Sequence, residues 1–156
     1  SAVASLPLVE PPPIAVSPQV KSQSCSVDQL SVTNVPETEG TVGRRYFDIV
    51  FTNRGGLCLM QGYPDLTGVD QSGQAVTHAQ REPATEAEAK LVRLDHGQSA
   101  TAQYKGLLSF YKACPKYVAI VVIPPNTTKS ARIDWDSDPW FCDFAIRPVA
   151  PDKPNG

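Results

Sequence analysis

Residues 46–53 read Tyr46-Phe47-Asp48-Ile49-Val50-Phe51-Thr52-Asn53, and in this stretch Phe47, Ile49 and Phe51 alternate with Tyr46, Asp48, Val50 and Thr52. A period of two sends one set of side chains to each face of a pleated strand, so the apolar set marks a core-facing side and the polar set a wet one. The same period recurs downstream. Ala100, Ala102 and Tyr104 alternate with Thr101 and Gln103, and Ile133 and Trp135 alternate with Arg132 and Asp134. Val118 to Ile123 is apolar on both faces and β-branched, which fits a central strand, and Pro124 and Pro125 stop it. Further strands are expected at Val27 to Thr33, Leu66 to Val69, Leu91 to Leu94 and Asp143 to Pro148.

Turn chemistry separates these runs at EGTVG, NRGG, QSG, DHGQ and PPNTT. Short strands at this spacing predict an all-β chain, and we expect an immunoglobulin-like β-sandwich of two antiparallel or mixed sheets with two disulfides. Only Glu82 to Leu91, EPATEAEAKL, has helix-forming composition, and its apolar positions are mostly alanines. We read it as a surface loop with one or two helical turns.

Four cysteines bear on the compartment. Cys25, Cys58, Cys114 and Cys142 lie far apart with no CxxC pair, so zinc ribbons and thioredoxin-like redox chemistry are poor readings. An even number in a short β chain points to disulfides and to an oxidising compartment. Cys142 falls in phase with Phe144 and Ile146, which turns its sulfur toward the core. Chain order favours Cys25 with Cys58 and Cys114 with Cys142, although four cysteines admit three connectivities. Each bridge would contribute roughly 3 to 4 kcal/mol by the chain-entropy estimate.

With 156 residues, of which 41% are hydrophobic and 19% charged, the chain has enough apolar material for one core. We expect a folded domain over residues 25–149 and a monomer. The net charge is -2, and the cations are scattered apart from Arg44 and Arg45, which argues against nucleic acid as a partner. No apolar run has membrane-spanning length, so the chain reads as soluble. Ser1 to Ser24 holds five of the fifteen prolines and two charged residues, Glu10 and Lys21. Such a segment is expected to be a flexible spacer, and residues 150–156 a flexible tail. The opening SAVASLPLVEPPP lacks a charged n-region and an apolar h-region, so export implies a signal or lipid anchor already removed and a membrane tether through it.

The stretch Gly43 to Leu66, GRRYFDIVFTNRGGLCLMQGYPDL, followed by DQSGQAV at Asp70 to Val76 and LVRLDHGQSATAQY at Leu91 to Tyr104, resembles a domain of unknown function found in actinobacterial secreted proteins and lipoproteins. The likeness runs from about Cys25 to Val149. It rests on Asn53, Cys58, Gly62, Tyr63 and Pro64, with Pro124, Pro125 and the two late cysteines. At Asp95 to Gly97 the chain departs from the Pro-Gly-like turn of that family. The resemblance implies an immunoglobulin-type sandwich outside the cytoplasm and carries no activity to transfer.

Chemistry-bearing residues are few. His78 and His96 have no motif that places a nucleophile beside them, and no GxSxG elbow occurs, so we expect no enzyme, no catalytic residue and no cofactor. Asp134, Asp136 and Asp138 start like a calcium loop, but Pro139 and Ala145 stand where glycine and glutamate are needed, so no metal is assigned. The same segment suggests a contact surface. Trp140 and Phe141, with Asp136 and Asp138 as acceptors, form a candidate platform for a sugar ring or a partner protein, whereas Trp135 is in phase with the core residue Ile133. Tyr63, in the Gly62-Tyr63-Pro64 corner, is a second candidate. Its ring is expected under the sheet with the hydroxyl on a carbonyl. The functional reading is an exported envelope binding or interaction module whose partner is an envelope protein or cell-wall component. A structural or accessory role in a larger envelope assembly is the alternative.

Overall fold

The computed structural model describes residues 14–37, 42–135 and 140–152. Strands dominate them, as the period-two runs require. In chain order these are β1 (Leu30–Pro36), β2 (Arg44–Asn53), β3 (Cys58–Met60), β4 (Asp65–Val69), β5 (Ala75–His78), β6 (Gln80–Arg81), β7 (Val92–Leu94), β8 (Ser99–Leu108), β9 (Ala119–Ile123), β10 (Ala131–Asp134), β11 (Phe141–Ile146) and β12 (Ala150–Pro151). One sheet has the order β1-β2-β8-β11-β6, with β12 also on β8; a second has the order β10-β9-β4-β5; β3 and β7 form a small third. Among the described residues, the named strands pair antiparallel except β11 with β6.

Alternation explains the layering. Phe47, Ile49 and Phe51 of β2 and Ala100, Ala102 and Tyr104 of β8 face inward and join Leu66, Ile120 and Val122 of the second sheet in one apolar cluster. Two half-buried sheets close over each other in this way. The third sheet adds Cys58, Met60, Val92 and Leu94 to the same cluster. Small residues sit where rings need room. A Cβ on Gly106 of β8 would lie 2.8 Å from both Phe141 Cβ and Phe144 Cε1, so the two rings pack directly on the backbone there.

Both disulfides follow chain order, Cys25 with Cys58 and Cys114 with Cys142. Cys142 is buried, as its phase with Phe144 and Ile146 anticipates. Three boundaries differ from the sequence reading. Val27–Gln29 is a 3-10 turn, because the Ser26 hydroxyl accepts from the Asp28 N–H and caps it. Within the expected spacer, Pro18–Ser22 forms a helical turn capped by Ser17, with Val20 buried and Ser24 bridged to Leu59. Proline at the first helical position suits that turn, and Val20 gives it something to bury. The expected tail begins in the sheet, since Ala150 and Pro151 pair with Thr101 and Ala100 of β8. An outer edge tolerates a proline because the missing N–H has no ladder partner to serve.

Candidate functional site

Among the described residues, the end of the fold where β2 begins and β8 finishes carries the largest exposed apolar side chains. β8 ends at Leu108, whose N–H donates to the Gly43 carbonyl at 2.7 Å, and the chain then turns through Ser109 to Tyr111. Phe110 is 85% exposed and Tyr111 55%, their rings meet edge to face at 5.5 Å, and Val42, the residue before Gly43, is 89% exposed. The Tyr111 ring lies over Gly43, 3.1 Å from where a Cβ would stand, so a side chain there would push the ring away. Folding leaves these three wet although isolated burial of a phenyl ring stabilises by roughly 1.5–3 kcal/mol. Contiguous exposed apolar groups of this kind mark interaction sites more often than scattered ones do.

A rigid base holds this display. Cys114, in the loop after Tyr111, is bonded to Cys142 on β11. β11 carries an extra residue between Cys142 and Ala145, and this bulge sets Asp143 at φ 52°, where its carboxylate meets the Lys112 ammonium at 2.7 Å. Trp140 is a pillar of the loop. Its ring N–H donates to the Cys114 carbonyl at 3.2 Å, its carbonyl accepts from Ser109, and the Lys116 ammonium sits 5.5 Å from the ring centroid. One face and the polar edge of Trp140 are therefore taken up by its own loop.

Phe141 does not belong to an exposed platform. It is 4% exposed and packs against Phe47 and Trp135, because Gly106 opposite leaves space for it and the Tyr117 hydroxyl bonds its backbone on both sides. Asp136 and Asp138 lie outside the described residues. Trp135 joins the core aromatics, edge to face with Phe47 and Tyr117. Phe110 and Tyr111 do not stand out as a surface in the sequence because two aromatics after a strand look like its continuation; Lys112 and Ala113 behind them, which do not continue an apolar face, are the available signal.

Tyr63 lies elsewhere, at a junction. Its hydroxyl donates to the Glu82 carbonyl, and Arg81 stands over its ring at 5.7 Å. Burial pushes the phenol above its usual range, against the pull of Arg147 and Arg81. The flanking carbonyls are in use as well: Gln61 accepts from the Asn126 side chain and Gly62 from the Val149 N–H. A groove of about 140 Å³ beside Tyr63 is bordered by Pro124, Pro125 and Asn126. That is smaller than the roughly 300–1,000 Å³ of ordinary small-molecule pockets. Tyr63 ties a corner together, and Tyr63→Phe is expected to cost about 1 kcal/mol in denaturant unfolding, the net worth of one hydrogen bond.

The histidines serve neighbours. His78 shares a hydrogen bond with the Thr67 hydroxyl at 2.8 Å, and His96 reaches the Gly55 carbonyl at 3.2 Å.

The family comparison spans this whole framework, both disulfides included: the model of the domain of unknown function DUF4232 matches residues 25–149. The chain belongs to the DUF4232 family. The matched DUF4232 segment starts at the first cysteine and ends at Val149, the buried residue whose N–H donates to Gly62. Searches of curated proteins and of solved structures found no match. No helix among the described residues is long and apolar enough to cross a membrane. Two disulfides in the DUF4232 domain are compatible with an extracellular location, where thiols stay oxidised.

Proposed function

We propose that this chain is an exported binding module of the bacterial cell envelope, presenting Phe110, Tyr111 and Val42 from one end of an immunoglobulin-type sandwich. Strand order supports the sandwich. β1, β2 and β8 run as strands A, B and E of such folds, and β10, β9, β4 and β5 run as G, F, C and C′. In these folds the loops gather at the two ends of the sheets, which is where binding surfaces are built.

The single observation that carries the function is the pair Phe110 and Tyr111, displayed on a loop that a disulfide and Trp140 brace from below. A preorganised aromatic loop loses little freedom when a partner covers it. Aromatic anchors of this kind dominate interface energetics when truncated. Immobilised wild-type chain and the Phe110→Ser, Tyr111→Ser double variant are to be compared for capture from a cell-envelope extract and from purified cell wall. We expect the variant to bind at least about tenfold more weakly, the cost of losing roughly 1.4 kcal/mol or more. Equal retention of the same partners by both proteins would end the proposal.

A further inference from the structure

The two disulfides stand at opposite poles of the sandwich. Cys142 pairs with Leu107 near the end of β8, so its bridge to Cys114 lies beneath the aromatic tip formed by Phe110 and Tyr111. Cys58 follows the turn at the other end of β2, and its bridge to Cys25 lies there. Residues 14–25 reach that same far pole. A Cβ on Gly62 would stand 3.9 Å from that of Ile14, Val20 is buried, and the Leu59 N–H donates to the Gln23 carbonyl at 2.9 Å. The C-terminal flank arrives there too. Val149 donates to the Gly62 carbonyl at 3.0 Å, and Ala150 and Pro151 pair with the start of β8. Both flanks of the domain therefore meet at the pole opposite the tip.

Strand direction connects the poles. β1 leaves the far pole at Leu30, β8 reaches the tip at Leu108, and both pair antiparallel with β2 between them. The β1 ladder runs from Leu30 with Asn53 to Pro36 with Phe47, and the β8 ladder from Ser99 with Thr52 to Leu107 with Arg44. A pull on the residues before β1, opposed by a pull on the loop after β8, would slide these strands along one another. Ladder hydrogen bonds lie across the strands, so sliding strains a whole ladder at once. A pull on both flanks at the far pole instead opens pairs in succession from that end. The covalent cross-links sit where each load would enter. Cys114 with Cys142 ties the tip loop to β11, which pairs with β8, and Cys25 with Cys58 passes load from the N-terminal flank to β3.

We propose that the domain is a load-bearing link, gripped at the aromatic tip by a partner that is itself fixed in place and restrained through residues 14–25 at the far pole. This rests on the tip being the binding end, as set out above. A freely diffusing ligand puts no load on the protein that binds it, so it gains nothing from a staple at each pole or from long ladders running between them. A fixed partner does. Forced unfolding is governed by the unfolding rate, and ladders that must break together hold longer than pairs that break one by one.

Single-molecule force spectroscopy on the whole oxidised chain tests the link without any partner, so its outcome is separate from that of the capture experiment. One handle is fixed at the N-terminus. The other is placed either on an azide-bearing phenylalanine in place of Phe110, which spares the cysteines, or at the C-terminus. Pulled pole to pole, the chain is expected to rupture at several times the force needed end to end at the same loading rate. The length released should correspond to Cys58 through residue 110, because the bridge from Cys25 to Cys58 shields residues 26–57. Reductant added after rupture should free those residues in a second step. A pole-to-pole rupture force no higher than the end-to-end one, or a first step that already includes residues 26–57, would overturn the link.

Discussion

The Cys25→Ala, Cys58→Ala double variant is expected to lose about 3.7 kcal/mol of stability. The bridge spans a sequence separation of 33, and chain entropy assigns a loop of that size about this much. Both cysteines are buried, so removal also loosens the attachment of residues 23–25 to β3, where Cys25 N–H donates to the Leu59 carbonyl and Leu59 N–H to that of Gln23. Against a typical total of about 5–15 kcal/mol the variant is near the limit of folding. Its thermal midpoint should fall by roughly 7–15 °C for a domain of this size. Denaturant titration of the oxidised wild type and the variant gives the difference, and a loss under about 1 kcal/mol would show that the staple is dispensable. The Cys114 and Cys142 pair, at a separation of 28, should cost nearly as much. Its removal carries a second effect, because the loop presenting Phe110 and Tyr111 loses its brace and binding should weaken with stability.

Asn53→Ala should be almost as damaging, at about 3 kcal/mol, although only one small side chain changes. Asn53 is fully buried at the end of β2. Its amide nitrogen donates to the Gly56 carbonyl at 2.9 Å and to the Leu94 carbonyl at 2.8 Å. Its oxygen accepts from the Gly55 N–H at 2.9 Å and from the Gln29 side chain at 3.0 Å. One residue thus joins the Asn53–Gly56 turn to β7 and to the 3-10 turn before β1. Alanine would remove the partner of the buried Leu94 carbonyl together with three further bonds at the turn, and taking a partner from a buried carbonyl costs more than a hydrogen bond nets. Asn53→Asp offers a sharper test. At neutral pH its carboxylate would face two carbonyl oxygens, so the variant should be worse than alanine near pH 7 and regain stability on acidification as the group takes up a proton. Equal stability of Asn53→Ala and wild type in urea would refute this role.

These residues also show how far a sequence can be read. Period-two runs located β2, β8 and the buried β9, because strand geometry forces alternation whatever the surroundings. The phase of Cys142 with Phe144 and Ile146 turned its sulfur inward as expected, and the Tyr63 hydroxyl found a carbonyl. Long-range choices were less legible. Phe141 is buried beside Cys142 because β11 bulges at Asp143 and β8 has a glycine opposite, and neither is visible in a local pattern. Val27 to Thr33 looked like one strand, yet Ser26 caps a turn within it. The helical turn at Pro18–Ser22 was hidden by proline content, since one buried valine decides whether such a segment packs. Phe110 and Tyr111 differ from core aromatics only in what the fold places over them.

All of this depends on sulfur chemistry in the living cell. The most direct measurement is peptide mapping without reductant on protein taken straight from the cells that make it, with free thiols alkylated at lysis. The account predicts two cross-linked peptide pairs, Cys25 with Cys58 and Cys114 with Cys142, and no alkylated cysteine. Four alkylated cysteines, or either of the other two pairings, would contradict it.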